Sequence, residues 1–164
     1  IIQYLSAQVA AGVDLVMLFD TWGSILDKES YSLFSLAYLK KIVDAIKASY
    51  PDIPVLLYAK GAAAHCLSIA ETKFDGISLD WTADLSHVRQ TLADYPITLQ
   101  GNLDPAILSC HSDVISHKVR QMIDAAGTRR YIANLGHGIP LDTPIEGVQH
   151  FIDAIRSYPL ARIC

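Results

Sequence analysis

The stretch "YIANLGHGIPLDTP", residues 131–144, decides how the rest of the chain is read. A short apolar run, Tyr131 to Leu135, stops at Gly136-His137-Gly138, and Thr143-Pro144 then opens a helix. In that helix Val148, Phe151, Ile152 and Ile155 fall on one face. An apolar run with no alternation, closed by glycine and followed by helical spacing, predicts a buried strand feeding a helix. The imidazole at the strand tip has two readings. In the first the glycines serve a tight turn, and His137 is exposed by accident. In the second the histidine stands at the mouth of a site, where it can donate a hydrogen bond to an anion or move a proton near neutral pH.

The same unit recurs upstream. "VDLVMLFD" (13–20), "VLLYA" (55–59), "DGISLD" (75–80) and "ITLQ" (97–100) read as four further strands. Between and around them, residues 3–11, 31–49, 62–72, 84–94 and 113–126 carry helical patterns, with a helical turn at "LDPAIL". Strands alternating with helices predict an α/β fold with a parallel sheet. Two parallel architectures compete. A doubly wound sheet announces itself with a glycine-rich phosphate turn, and neither GxGxxG nor GxxxxGK[ST] occurs. Polar residues instead follow each strand: Asp20-Thr21-Trp22, Lys60-Gly61, Asp80-Trp81, Gln100-Gly101-Asn102 and His137. That is the habit of a (β/α)8 TIM barrel, whose site is built on the loops after its strands and which takes about 250 residues and eight strands. Five strands in 164 residues therefore predict the C-terminal part of such a barrel, one domain over residues 1–164 with the N-terminal half absent. The chain opens on Ile-Ile-Gln, without Met or a signal-peptide layout, and is expected to be a piece of a longer protein. Its two open sheet edges should need covering.

Composition narrows the function classes. Hydrophobic residues make up 51% of the chain and charged ones 18%, enough for a large core. A net charge of −4 offers no basic field, so nucleic acid is not expected as a partner. No apolar run is long enough to span a membrane. Cys66, Cys110 and Cys164 are odd in number and widely spaced, which predicts free thiols in a reducing compartment and no structural zinc site.

The other candidates carry bland readings beside sharp ones. Asp20-Thr21-Trp22 is either a cap with Trp22 packed under the loop, or a hydroxyl aimed into the mouth with Trp22 walling it. Asp80-Trp81 reads as a cap with a rim aromatic. Gln100 and Asn102 either orient a polar substrate or, the preferred reading, tie loops together. Lys60 is a cation at a strand tip, suited to a carboxylate or simply exposed. His65, His87, His111, His117 and His150 lack ligand spacing and are read as surface residues. Thr143 is expected as an N-cap, with Pro144 at the first helical position and Glu146 completing a capping box. Asp104-Pro105 repeats the cap-and-proline device, and Ser112 or Asp113 is expected to cap the next helix. GxSxG, HExxH and a spaced Cys–His pair are all missing, so nucleophilic hydrolysis and zinc proteolysis have no support.

Four linked motifs, "LFDTWG", "GISLDWT", "LQGNLDP" and "NLGHGIPLDTPIEGV", resemble the C-terminal half of bacterial uroporphyrinogen decarboxylases, and "FSLAYLKKIVDAI" and "YAKGA" fit the same pattern. The resemblance spans essentially the whole chain. It implies a cytoplasmic, homodimeric TIM-barrel enzyme of haem biosynthesis that removes carbon dioxide from the four acetate side chains of uroporphyrinogen III, giving coproporphyrinogen III, without metal or organic cofactor. It implies substrate contacts for Thr21 and His137. The family's aspartate at the pyrrole nitrogens, its carboxylate-binding arginines and its active-site tyrosine belong to the N-terminal half, so no catalytic residue is assigned here and the chain alone is expected to be inactive. Zinc- and corrinoid-dependent methyltransferases of the same barrel resemble an H-x-C-G run where this chain has Tyr58-Ala59-Lys60-Gly61, and a cysteine where it has His137. Tyrosine and lysine do not replace that ligand set. A third reading is a truncated barrel kept as a non-catalytic interaction module.

Overall fold

The computed structural model describes residues 1–159, with backbone only at residue 62. Cys164 lies outside the described residues; Cys66 is buried and Cys110 exposed, both as free thiols. Helix α1 (Ile2–Ala10) leads into strand β1 (Val16–Asp20). Helix α2 (Lys28–Tyr31) runs through a π-helical turn (Ser32–Leu36) into α3 (Ala37–Ser49). Then come β2 (Val55–Ala59), α4 (Cys66–Ala70), β3 (Gly76–Ser78), α5 (Leu85–Thr91), β4 (Thr98–Leu103), α6 (Ser112–Ala126), β5 (Tyr131–Leu135) and α7 (Ile145–Arg156).

All four strand pairings are parallel, and the spatial order is β1-β2-β3-β4-β5. The constant direction of addition decides the architecture. Crossovers between parallel strands are right-handed, so strands added always on the same side leave every connecting helix on one face. A doubly wound sheet reverses its order at a switch point, and this one does not. The fold is α/β, five successive units of a TIM barrel. Among the described residues, β1 and β5 each pair on one side only, which leaves the two expected edges open.

Alternate strand residues divide the work. Val16, Leu18, Val55, Leu57, Ala59, Ile77 and Leu99 join the main core, packed with Val43 and Ile46 of α3, Val88 of α5 and Ile115 and Val119 of α6. The residues between them face the concave side. Phe19 pairs with Tyr58, Tyr58 with Ser78, Ser78 with Gln100 and Gln100 with Ile132, forming one row across the sheet. The edges are less buried than an apolar run suggests: Phe19 is 69% and Ile132 39% exposed.

Several local expectations are corrected. β1 begins at Val16, three residues later than predicted, and β3 is only three residues long. β4 continues through Gln100-Gly101-Asn102-Leu103 instead of ending at Gln100, so these polar residues lie within the strand. A concave barrel face accepts polar side chains, which is why polarity did not end the strand. Pro144 is extended (ψ 135°) and is itself the N-cap of α7, so Thr143 does not cap and its hydroxyl is buried without a partner among the described residues. His111, neither Ser112 nor Asp113, caps α6, its Nδ1 accepting from the Asp113 N–H at 3.5 Å. Asp104 caps the turn at Pro105 as expected. His65 is not a surface residue: it is buried and stacked on Tyr31, with ring centroids 4.0 Å apart and planes within 8°.

Candidate active site

The carboxyl ends of the strands surround a cavity of about 310 Å³. Phe19, Tyr58, Ser78 and Gln100, the first four members of the inward row, line it. Thr21 follows β1 and His137 follows β5, so they come from the two outermost strands, yet both line this same hollow. Sequence separation of more than a hundred residues is closed by the curvature of the sheet.

Neither glycine beside His137 has a left-handed backbone. The two glycines do different things. A Cβ at Gly136 would collide with the backbone nitrogen of Trp81, so the β5 tip must lie flat against the loop after β3. A Cβ at Gly138 would meet nothing within 4 Å, and Gly138 lines the cavity, so glycine there leaves room beside the imidazole. The histidine ring sits between two aromatics. Trp81 lies 5.7 Å away at 36°, and Tyr58 6.1 Å away and nearly parallel. The Tyr58 hydroxyl is 3.1 Å from His137 Nδ1 and donates to the Gly136 carbonyl oxygen at 3.2 Å. Burial pushes the Tyr58 phenol up, helped by the negative charge of Asp80, so it keeps its proton.

Asp80 is 1% exposed, far more than a loop cap. One carboxylate oxygen accepts from the Gly61 N–H at 2.5 Å, and the other from the N–H and hydroxyl of Thr82. Burial alone would raise its carboxyl, but the Thr82 hydroxyl and the N–H groups of Gly61 and Thr82 outweigh it and hold Asp80 below the usual carboxylate range. Gly61 is left-handed (φ 75°), which turns its N–H toward this anion. Asp80 thus fastens the loop after β2 to the loop after β3, the loops that carry Lys60 and Trp81. The Lys60 ammonium sits 5.3 Å above the Trp81 ring.

The two amides separate. Asn102 donates to the carbonyls of Asp80 and Ala83, both at 2.8 Å, and ties loops as expected. Gln100 donates to the Ser78 hydroxyl at 3.0 Å and lines the cavity. Asp20 points away from the hollow and accepts from the Ser35 hydroxyl of the π-helical turn. Trp22 is 68% exposed, so it neither packs under the loop nor walls the cavity.

Sequence reasoning missed Tyr58 and Ser78. Both were legible in principle, because every second residue of β2 and β3 shares the face of Phe19. The assembled surface offers hydroxyls from Thr21, Tyr58 and Ser78, an amide from Gln100 and an imidazole from His137. It is a set of hydrogen-bonding groups on an apolar bed, suited to holding and orienting a polar molecule. Among the described residues no three His, Cys, Asp or Glu side chains converge.

Comparison with known proteins agrees with the motif resemblance. The family model described as uroporphyrinogen decarboxylase matches residues 1–158. The chain is 40% identical over 159 residues to the uroporphyrinogen decarboxylase of Vesicomyosocius okutanii subsp. Calyptogena okutanii (strain HA), covering 96% of this chain and 46% of that one. It is 42% identical to that of Hamiltonella defensa subsp. Acyrthosiphon pisum (strain 5AT), with 94% and 44% covered, and 43% identical to that of Legionella pneumophila (strain Paris), with 93% and 43% covered. The chain therefore spans less than half the length of these curated relatives. Among solved structures it is similar to a methyltransferase from Methanosarcina mazei, with a TM-score of 0.78 over 93% of this chain and 44% of that one. At 22% identity that likeness concerns the fold.

Proposed function

The chain belongs to the uroporphyrinogen decarboxylase family, and from that premise we propose that the protein carrying it removes the acetate carboxyl groups of uroporphyrinogen III, giving coproporphyrinogen III. The observation that carries the reading is the meeting of Thr21 and His137 on one cavity at the carboxyl ends of the strands. In this reading these are the two positions for which the motif resemblance implies substrate contacts.

The chemistry suits the layout. Loss of carbon dioxide from a pyrrole acetate leaves an electron pair on the methylene carbon. Protonation of the pyrrole ring supplies a sink for that pair; a proton delivered to the methylene carbon then makes the methyl group, and loss of the ring proton restores the neutral pyrrole. A carboxylate beside the pyrrole nitrogens stabilises the cationic ring, an electrostatic contribution of the kind that dominates many enzymes. In this reading that carboxylate and the arginines that grip the remaining acid groups come from the rest of the protein. The present strands contribute anchors: the Thr21 hydroxyl and the His137 imidazole bind, while Tyr58, Ser78 and Gln100 furnish the wall. At about 310 Å³ the cavity is at the lower end for small-molecule sites, as fits a mouth built by five of eight strands.

The 164 residues act in this reading as one unit of a larger barrel, in a cytoplasmic homodimer working without metal or organic cofactor. Among the described residues no helix is long and apolar enough to cross a membrane. The direct test is an anaerobic assay of the full-length protein with uroporphyrinogen III. Coproporphyrinogen III with four equivalents of carbon dioxide is expected, and unchanged substrate would reject the proposal. The 164-residue chain assayed alone is expected to give no turnover.

A further inference from the structure

We propose that Tyr58 is a positioning residue that selects the tautomer of His137, holding the neutral ring with its proton on Nδ1 and leaving Nε2 bare. The kinetic part of this inference rests on the decarboxylase reading; the tautomer part does not.

The argument is a count of protons. A phenol has one proton to give and oxygen lone pairs to accept with, while a backbone carbonyl only accepts. The Tyr58 oxygen is within hydrogen-bond distance of two groups, the Gly136 carbonyl oxygen and His137 Nδ1. Both contacts are satisfied together in one way: Tyr58 donates to Gly136, and His137 Nδ1–H donates to Tyr58. The reverse assignment, with Tyr58 donating to Nδ1, leaves the carbonyl of buried Gly136 without that donor, and among the described residues no other hydrogen bond reaches it. Unmet buried carbonyls are disfavoured. The phenol keeps its proton because burial and the Asp80 charge both disfavour phenolate.

Two further observations fix the ring. Gly136 is pressed against the Trp81 backbone, so the carbonyl that receives the Tyr58 proton cannot drift away. Trp81 and Tyr58 flank the imidazole, and Phe19 packs on Tyr58 with centroids 5.8 Å apart. Nδ1 is thereby spent on the protein, and Nε2 is the nitrogen left for a bound molecule. A bare Nε2 accepts from a pyrrole N–H or a carboxylic acid.

The test uses the full-length protein labelled with ¹⁵N-histidine, with His137→Asn to assign the ring signals. Long-range ¹⁵N–¹H correlation at a pH where the ring is neutral is expected to show Nδ1 protonated and Nε2 unprotonated. In Tyr58→Phe the ring should move toward the Nε2–H form, and KM for uroporphyrinogen should rise about three- to tenfold with kcat changed less than about twofold, one hydrogen bond's worth of orientation. A wild-type ring already in the Nε2–H form overturns the proposal, and that measurement stands even if Tyr58→Phe does not fold. An unchanged tautomer in folded Tyr58→Phe overturns it equally. A shifted tautomer in a protein that does not turn over uroporphyrinogen sustains the positioning role and removes the decarboxylase reading instead.

Discussion

The carboxylate of Asp80 accepts a 2.5 Å hydrogen bond from the N–H of Gly61, a residue from the neighbouring strand-end loop. This single contact joins the loop that carries Lys60 to the loop that carries Trp81, and Trp81 packs on His137. The site is therefore held by an anion that never touches the cavity.

Replacing Asp80 by Asn keeps the shape and removes the charge from three hydrogen bonds. In the full-length protein this should cost about 2–3 kcal/mol in urea unfolding, the range for losing a charge-assisted, buried arrangement. The pH dependence has a defined sign. The folded-state carboxyl titrates below its ordinary 3.8, so the unfolded chain takes the proton first as acid is added. The stabilisation is complete above the ordinary value and is lost as pH falls through the lowered one. Equal stability of wild type and Asp80→Asn at neutral pH would show that the strut carries no weight.

The glycines around His137 should respond in opposite ways. Gly136→Ala drives a methyl group into the Trp81 backbone, which has no rotamer to yield, so unfolding should be easier by about 1–3 kcal/mol, the usual cost of overpacking. Gly138→Ala enters open space and should change stability by less than about 0.5 kcal/mol. Because Gly138 lines the cavity, its effect should fall on KM. Calorimetry and kinetics on the two variants check this directly; a destabilised Gly138→Ala beside a tolerant Gly136→Ala would reverse the assignment.

His65 should give the fold a second pH-sensitive joint. Burial lowers its pKa from the ordinary 6.5, with the Lys28 charge adding to the effect. The unfolded chain therefore binds this proton more readily, so stability is full above about pH 6.5 and declines as pH drops below it. His65→Phe preserves the stack on Tyr31 and removes the titration. Its unfolding midpoint should vary less between pH 7.5 and 5.5 than that of wild type, a range chosen to bracket the free imidazole value; identical slopes would exclude His65 as the source.

Thr143 offers a test of the revised helix start. A capping threonine costs about 1 kcal/mol when its hydroxyl is removed. A buried hydroxyl without a partner costs nothing to remove, and Thr143→Val should be neutral or slightly stabilising in the same unfolding assay. A clear loss would restore the capping role to Thr143.

The strand cores were the legible parts of the fold. "VLLYA" coincides with β2, all five of whose residues are buried, as in a covered parallel strand; "YIANL" coincides with β5, although at this open edge its residues alternate between half-buried and exposed. The extent of β4 was not legible, since Gln100 and Asn102 are polar for reasons that belong to the concave face and to the Asp80 carbonyl. His65 was misplaced because a histidine carries no local signal of a stacked core ring; His111 is exposed as expected, and only its role as the cap of α6 was not legible. Thr21 and His137 were legible as strand-end residues. Tyr58 was legible in principle and overlooked, because reading its strand as uniformly buried hid the alternation that turns every second residue toward the cavity.

The central claim, that the imidazole of His137 is a binding group in a cavity shared with Thr21, meets its most direct test in the steady-state kinetics of His137→Asn in the full-length protein. The account predicts a KM for uroporphyrinogen raised about tenfold, with kcat reduced by less than about threefold, the pattern of lost uniform binding. A collapse of kcat at unchanged KM would contradict it and move His137 into the chemical step.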